Sequence, residues 1–165
     1  MSRAKTSATS TTRTEADDGT LQTFATIRIA GDRLAPDEVT QILRVPPTQA
    51  YAKGEHYWGG PRSPDLVGRT GVWFLSTDHM VVSKRLGDHL GQILNLLTLQ
   101  RGETLPIDEL NRLLARKSLK AHVSCYWFGK SGAKKPVIQP IVTKIFGLLP
   151  ADIETDFATE ERQVA

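Results

Sequence analysis

Leu86, Leu90, Ile93, Leu94 and Leu97 recur at i, i+4, i+7, i+8 and i+11, the strongest periodicity in the chain. Residues so spaced share one face of an α-helix, so residues 84–100 are predicted to form a helix with an apolar stripe. Such a stripe has to be buried against another apolar surface. Two stretches offer one. Val72–Thr77 places Trp73 and Leu75 on one face and Val72 and Phe74 on the other, which predicts a central strand. Leu119–Phe128 alternates Leu119, Ala121, Val123, Cys125 and Trp127 with Lys120, His122, Ser124, Tyr126 and Phe128. A helix with one apolar stripe and a strand with one apolar face satisfy each other as two packed layers.

The remaining elements fit that scheme. Leu21–Ala30 predicts a first strand, with Ala25, Ile27 and Ile29 on one face and Phe24, Thr26, Arg28 and Ala30 on the other. Pro36 suits the first turn of a helix over 36–44, whose stripe is Val39, Ile42 and Leu43; Pro46 and Pro47 stop it. Residues 46–71 read as one long loop. Ser83 is expected to cap the long helix, and Thr104 a shorter one over 105–116 with Ile107, Leu110, Leu113 and Leu114, giving an antiparallel helical hairpin. Gly129–Lys135 is a basic turn and Val137–Gln139 a short returning strand. Pro140 starts a helix to about Phe146 that Gly147 ends. Asp152–Phe157 alternates acids with Ile153, Thr155 and Phe157, a half-buried last strand. The expected fold is α+β: a mostly antiparallel sheet of four to five strands with helices packed chiefly on one face, in the order β-α-β-α-α-β-(β)-α-β. Strand order is left open. Residues 1–19 are Ser/Thr/Ala-rich without apolar periodicity and are expected to be a disordered tail, 20–158 a single domain, and 159–165 a flexible tail.

The order of several short motifs resembles the bacterial domain-of-unknown-function family 4279. They are the opening strand Thr23–Ala30, the helix start Pro36–Asp37–Glu38, the segment Pro47–Thr48 to Lys53–Gly54, the strand Gly71–Val72–Trp73, and the acidic closing strand Asp152–Phe157. The resemblance covers roughly residues 22–158. It departs in a long insert from Tyr57 to Arg69 and in Pro150–Ala151 before the last strand. It implies a bacterial protein and carries no reaction, cofactor or catalytic residue.

No apolar run reaches the ~18 residues of a membrane span, and no secretory leader is expected. Cys125 is the single cysteine, which rules out an intramolecular disulfide and fits a reducing, cytoplasmic setting. The net charge of +3 is unevenly spread. Residues 84–135 hold ten Lys/Arg against four acids, and residues 151–165 five acids against one Arg. The two regions could pair within one molecule or attract outside partners.

Catalytic patterns do not assemble. Gly129–Lys130–Ser131 follows a strand, but a phosphate-binding loop needs Gly where Ser124 stands, and Pro136 intervenes before any helix. Among His56, His79, His89 and His122 only His122 has a His or Cys at i+3 or i+4, namely Cys125, and on a strand those two side chains point to opposite faces, so no metal site is inferred. Cys125, on the apolar face of its strand, reads as packing. No cofactor is expected. What remains is binding. The loop of residues 51–69 carries Tyr51, Lys53, Glu55, His56, Trp58 and Arg62, a composition typical of recognition surfaces. The expectation is a non-enzymatic protein-interaction module with a protein partner, immunity-protein-like by analogy with other small bacterial families. Two alternatives stand beside it. Single-stranded nucleic acid could bind the basic turn through Lys130, Lys134 and Lys135 with nearby Tyr126 and Phe128. An enzyme could hold a pocket under loop 51–69.

Overall fold

The structure, a computed structural model, describes residues 18–161. The expected disordered and flexible tails therefore lie outside the described residues up to residue 17 and from residue 162. Residue 159, assigned to the second tail, is the last of a strand.

Twelve residues, Thr20–Gly31, form β1. The helix α1, Pro36–Leu43, follows, then β2 (Gln49–Tyr51), β3 (His56–Tyr57), β4 (Leu66–Val67) and β5 (Gly71–Ser76). A 3-10 turn at Thr77–His79 leads to α2 (Leu86–Thr98) and α3 (Pro106–Lys117). The chain closes with β6 (Lys120–Gly129), α4 (Pro140–Leu148) and β7 (Asp152–Thr159).

Five strands make one sheet in the order β2-β5-β1-β6-β7, antiparallel except for the parallel pair β6–β7 that α4 connects. The strands β3 and β4 form a separate hairpin. The α+β class and its mainly antiparallel sheet are as expected.

Register explains the core. Ile27 stands between Leu75 and Val123, Ile29 between Trp73 and Ala121, and Ala25 beside Cys125. All eight are buried, and the helices cover them with Val39, Leu43, Leu90, Ile93, Leu97 and Leu110. Each fully buried Leu or Ile contributes about 1.5–3 kcal/mol relative to exposure. The α2 stripe is shifted slightly: Leu94 is half-buried, and Leu96 joins the core. Trp73 is fully buried, and its indole N–H donates to Thr40 Oγ1 at 3.0 Å, tying β5 to α1.

β5 is a central strand as expected, paired with β2 on one side and β1 on the other, and β1 lies in the middle of the sheet. Several local expectations are corrected. The loop 46–71 is not structureless: it holds the edge strand β2 and the β3–β4 hairpin. Val137–Gln139 forms no strand; Pro136 and Pro140 flank it, and Val137 is exposed. Gly147 does not end α4, which runs on to Leu148 and closes at buried Leu149. Neither Ser83 nor Thr104 occupies an N-cap. The Ser83 hydroxyl accepts the Arg85 N–H at 3.0 Å and donates to Asp88 at 2.6 Å, one turn across the start of α2. The Thr104 hydroxyl donates to Glu109 in the same manner at α3.

Candidate functional site

Because residues alternate across a strand, the side chains opposite the helix-covered rows form a second face. On it Phe24 of β1 stacks on Tyr126 of β6, ring centroids 4.6 Å apart. Beside them are Arg28 and Phe74, cross-strand partners, and His122, which faces Arg28 from β6. The short β2 adds Gln49 and Tyr51, opposite Phe74 and Val72.

The β3–β4 hairpin folds back onto the β2 end of this face. Tyr57 stacks on Tyr51 with 3.8 Å between centroids and 6° between planes. The Gln49 amide donates to the Trp58 carbonyl at 3.0 Å. Burial, and after it the neighbouring Tyr57, raises the Tyr51 phenol above its ordinary value. Gly68 makes the close approach possible: a Cβ there would strike the Ala52 carbonyl at 2.7 Å and the Tyr51 ring at 2.8 Å. Between hairpin and sheet lies an open cleft of about 520 Å³, lined by Gln49, Tyr51, Tyr57, Trp58, Leu66 and Phe74 among others. Trp58 is 63% exposed at its rim. Tyrosine hydroxyls are the only titratable groups in its lining.

The residues singled out in the sequence divide among different tasks. Tyr51 and Trp58 meet at the cleft. Lys53 instead pairs with Asp32 at 3.0 Å, and that bond is the main cause holding the Asp32 carboxyl below its ordinary value. Glu55 accepts the Ala52 N–H at 2.8 Å, a turn-building contact. His56 Nδ1 meets Asp65 at 2.8 Å across the exposed side of the hairpin. Arg62 is exposed near the hairpin tip. Lys130, Lys134 and Lys135 are exposed far from all of these. Tyr51 is level with Lys120 in the register, and Lys130 follows Gly129 at the other end of β6, about 30 Å away at the ordinary strand rise.

Between the basic middle and the acidic end, His122 Nε2 meets Glu154 at 3.1 Å. Lys117 and Arg116 turn to Glu38 instead, at 2.6 and 3.8 Å. Asp152, Glu154 and Asp156 stand in register with His122, Ser124 and Tyr126, so a row of acids borders the aromatic face on its β7 side.

One group escaped sequence reasoning. His89 is 1% exposed, with Nδ1 at 2.7 Å from the Thr77 hydroxyl and Nε2 at 2.9 Å from the Ser83 carbonyl. It borders a second open cleft of about 500 Å³ with Thr23, Asp78 and Lys84. Both its ring nitrogens are engaged, and Asp78 accepts the Ser76 hydroxyl at 2.7 Å. The burial signal was its place one turn before Ile93 on the α2 stripe. Cys125 is fully buried, and burial pushes its thiol up to about 11. Among the described residues no three His, Cys, Asp or Glu side chains come close enough to hold a metal ion. No helix of the described residues is long and apolar enough to cross a membrane.

A family model described as Domain of unknown function (DUF4279) matches residues 21–159, most of the chain. No curated protein and no solved structure matches the chain significantly.

Proposed function

The chain belongs to the family described as Domain of unknown function (DUF4279), and we propose that it works as a non-enzymatic protein-interaction module in a bacterial cytoplasm. The observation that carries this reading is Trp58, 63% exposed at the rim of an aromatic cleft. A large exposed ring held by a braced hairpin is the kind of anchor that dominates protein interfaces. The stacked Tyr51–Tyr57 pair and the Gln49–Trp58 hydrogen bond hold the hairpin in place, so little ordering cost remains for binding. The cleft's lining offers tyrosine hydroxyls as its only titratable groups, which favours binding over acid–base chemistry. The nucleic-acid reading is less well supported. Its lysines sit at the far end of β6, and the acids of β7 border the same aromatic face and would repel phosphate.

The test compares recovery of partners by the wild-type chain, Trp58→Ala and Lys134→Ala. A protein retained by the wild type and by Lys134→Ala but lost with Trp58→Ala supports the reading. Identical recoveries from Trp58→Ala and the wild type overturn it.

A further inference from the structure

We propose that the outer edge of β7 receives, by strand addition, an extended segment of a partner protein in which Lys or Arg alternates with apolar residues.

The edge itself is the first observation. Among the described residues β7, eight residues long, ends the sheet and is hydrogen-bonded on one side, to β6. The Glu160 N–H donates to the Gly129 carbonyl at 2.9 Å. Direction alternates along a strand, so even-numbered residues bond inward. Ile153, Thr155 and Phe157 then turn their N–H and C=O groups outward. An unpaired edge of this length templates further pairing. The other edge strand, β2, has only three residues and lies beneath the hairpin.

Charge selects the occupant. On the open face β7 carries Asp152, Glu154 and Asp156, all exposed. His122 meets Glu154, while Asp152 and Asp156 have no ion-pair partner among the described residues. A second copy pairing through its own β7 would set acids against acids, and like charges across a strand pair are destabilising. A segment with Lys or Arg on that face meets complementary charge instead. On the other face its apolar residues would enter the layer of α4, which packs on β7 and leaves Ile141 and Leu148 about three-fifths exposed. Main-chain hydrogen bonds would supply affinity, and the alternating side chains selectivity.

The experiment uses two labelled synthetic peptides long enough to span β7, one alternating Lys with Val and the other Glu with Val, followed by fluorescence anisotropy. The Lys/Val peptide is expected to bind and the Glu/Val peptide to fail. Thr155→Pro removes an outward donor while leaving the β6 ladder intact, and is expected to weaken binding about tenfold or more. Should Thr155→Pro fold poorly by thermal unfolding, Asp152→Lys with Asp156→Lys keeps the question open to decision: it is expected to reverse the peptide preference. Trp58→Ala is expected to bind the Lys/Val peptide as the wild type does, so the edge and the hairpin cleft fail or stand separately. No binding of the Lys/Val peptide overturns the proposal. So does binding that Thr155→Pro, properly folded, leaves unchanged, since that is charge attraction alone. A wild-type dimer abolished by Thr155→Pro would identify a second copy as the occupant and overturn it too.

Discussion

The Thr77 hydroxyl stands 2.7 Å from Nδ1 of His89, and the two side chains tie the end of β5 to the first turns of α2 and to β1. The Ser83 carbonyl can only accept, so Nε2 of His89 is the donor there and carries the proton. In a neutral ring Nδ1 accepts, and the Thr77 hydroxyl donates to it. The same oxygen accepts the Ala25 N–H at 2.9 Å. Every polar atom of this buried chain is thereby paired, consistent with buried side-chain polar atoms being satisfied throughout the described residues.

Thr77→Val is expected to destabilise the fold by about 2–4 kcal/mol, because it leaves the Ala25 N–H and His89 Nδ1 without partners at once. Thr77→Ser keeps the hydroxyl and is expected to cost clearly less. Urea denaturation of both variants decides this; a Thr77→Val loss no larger than the Thr77→Ser loss would contradict the weight given to the hydrogen bonds at Thr77.

Cys125 is expected to resist alkylation in the native protein at pH 8. Its thiol is buried and held up at about 11, so the thiolate fraction is small and inaccessible. Iodoacetamide labelling followed by mass spectrometry is expected to show modification only after denaturant is added. Rapid labelling of the folded chain would contradict this placement on the sheet's covered face.

Asp88 accepts hydrogen bonds from Arg85 at 3.0 and 3.2 Å and from Ser83 at 2.6 Å. The Arg85 contact first, and the Ser83 hydroxyl second, hold its carboxyl below the ordinary 3.8. A lowered folded-state value adds stability that is complete above the unfolded value and disappears as pH falls through the folded one. The pair is largely solvent-exposed, so Asp88→Asn is expected to cost under about 1 kcal/mol at pH 7. That difference from the wild type is expected to shrink below pH 3.8. Thermal unfolding across that range provides the check, and a difference independent of pH would refute the assignment.

Gly129 lies against the ring of Trp127, and a Cβ at this position would overlap the indole. Trp127 is 2% exposed, its N–H donating to Thr20 at 2.8 Å, so the ring has little room to yield. Gly129→Ala is expected to cost about 1–3 kcal/mol by overpacking. Chemical denaturation is the measurement; an unperturbed midpoint would show that the ring relocates freely.

The alternation in residues 119–128 and the repeat in residues 86–97 were enough to place β6 and α2, and they did so because local periodicity is a direct image of which face is buried. The same logic found β1, α1, α3 and β7 to within a few residues. It failed for β2, β3 and β4, which have three, two and two residues. Elements that short carry no period, and their region is crowded with Gly and Pro. Tyr51 and Trp58 were legible as candidate binding residues from their type alone. Their separation from Lys130, Lys134 and Lys135, and the diversion of Lys53, Glu55 and His56 into local contacts, were not.

The chain's own residue pattern thus determined the α+β class, the faces of the long strands and helices, and the fate of Cys125 as packing. Only the tertiary structure decided that β1 lies in the middle, that β6 and β7 run parallel, that the hairpin braces Trp58, and that His89 is buried between Thr77 and Ser83. The reason is one of range. Burial period is written in neighbours three or four residues apart, whereas Ala25 meets Cys125 across a hundred positions, and such pairings are chosen by the packing of the whole molecule.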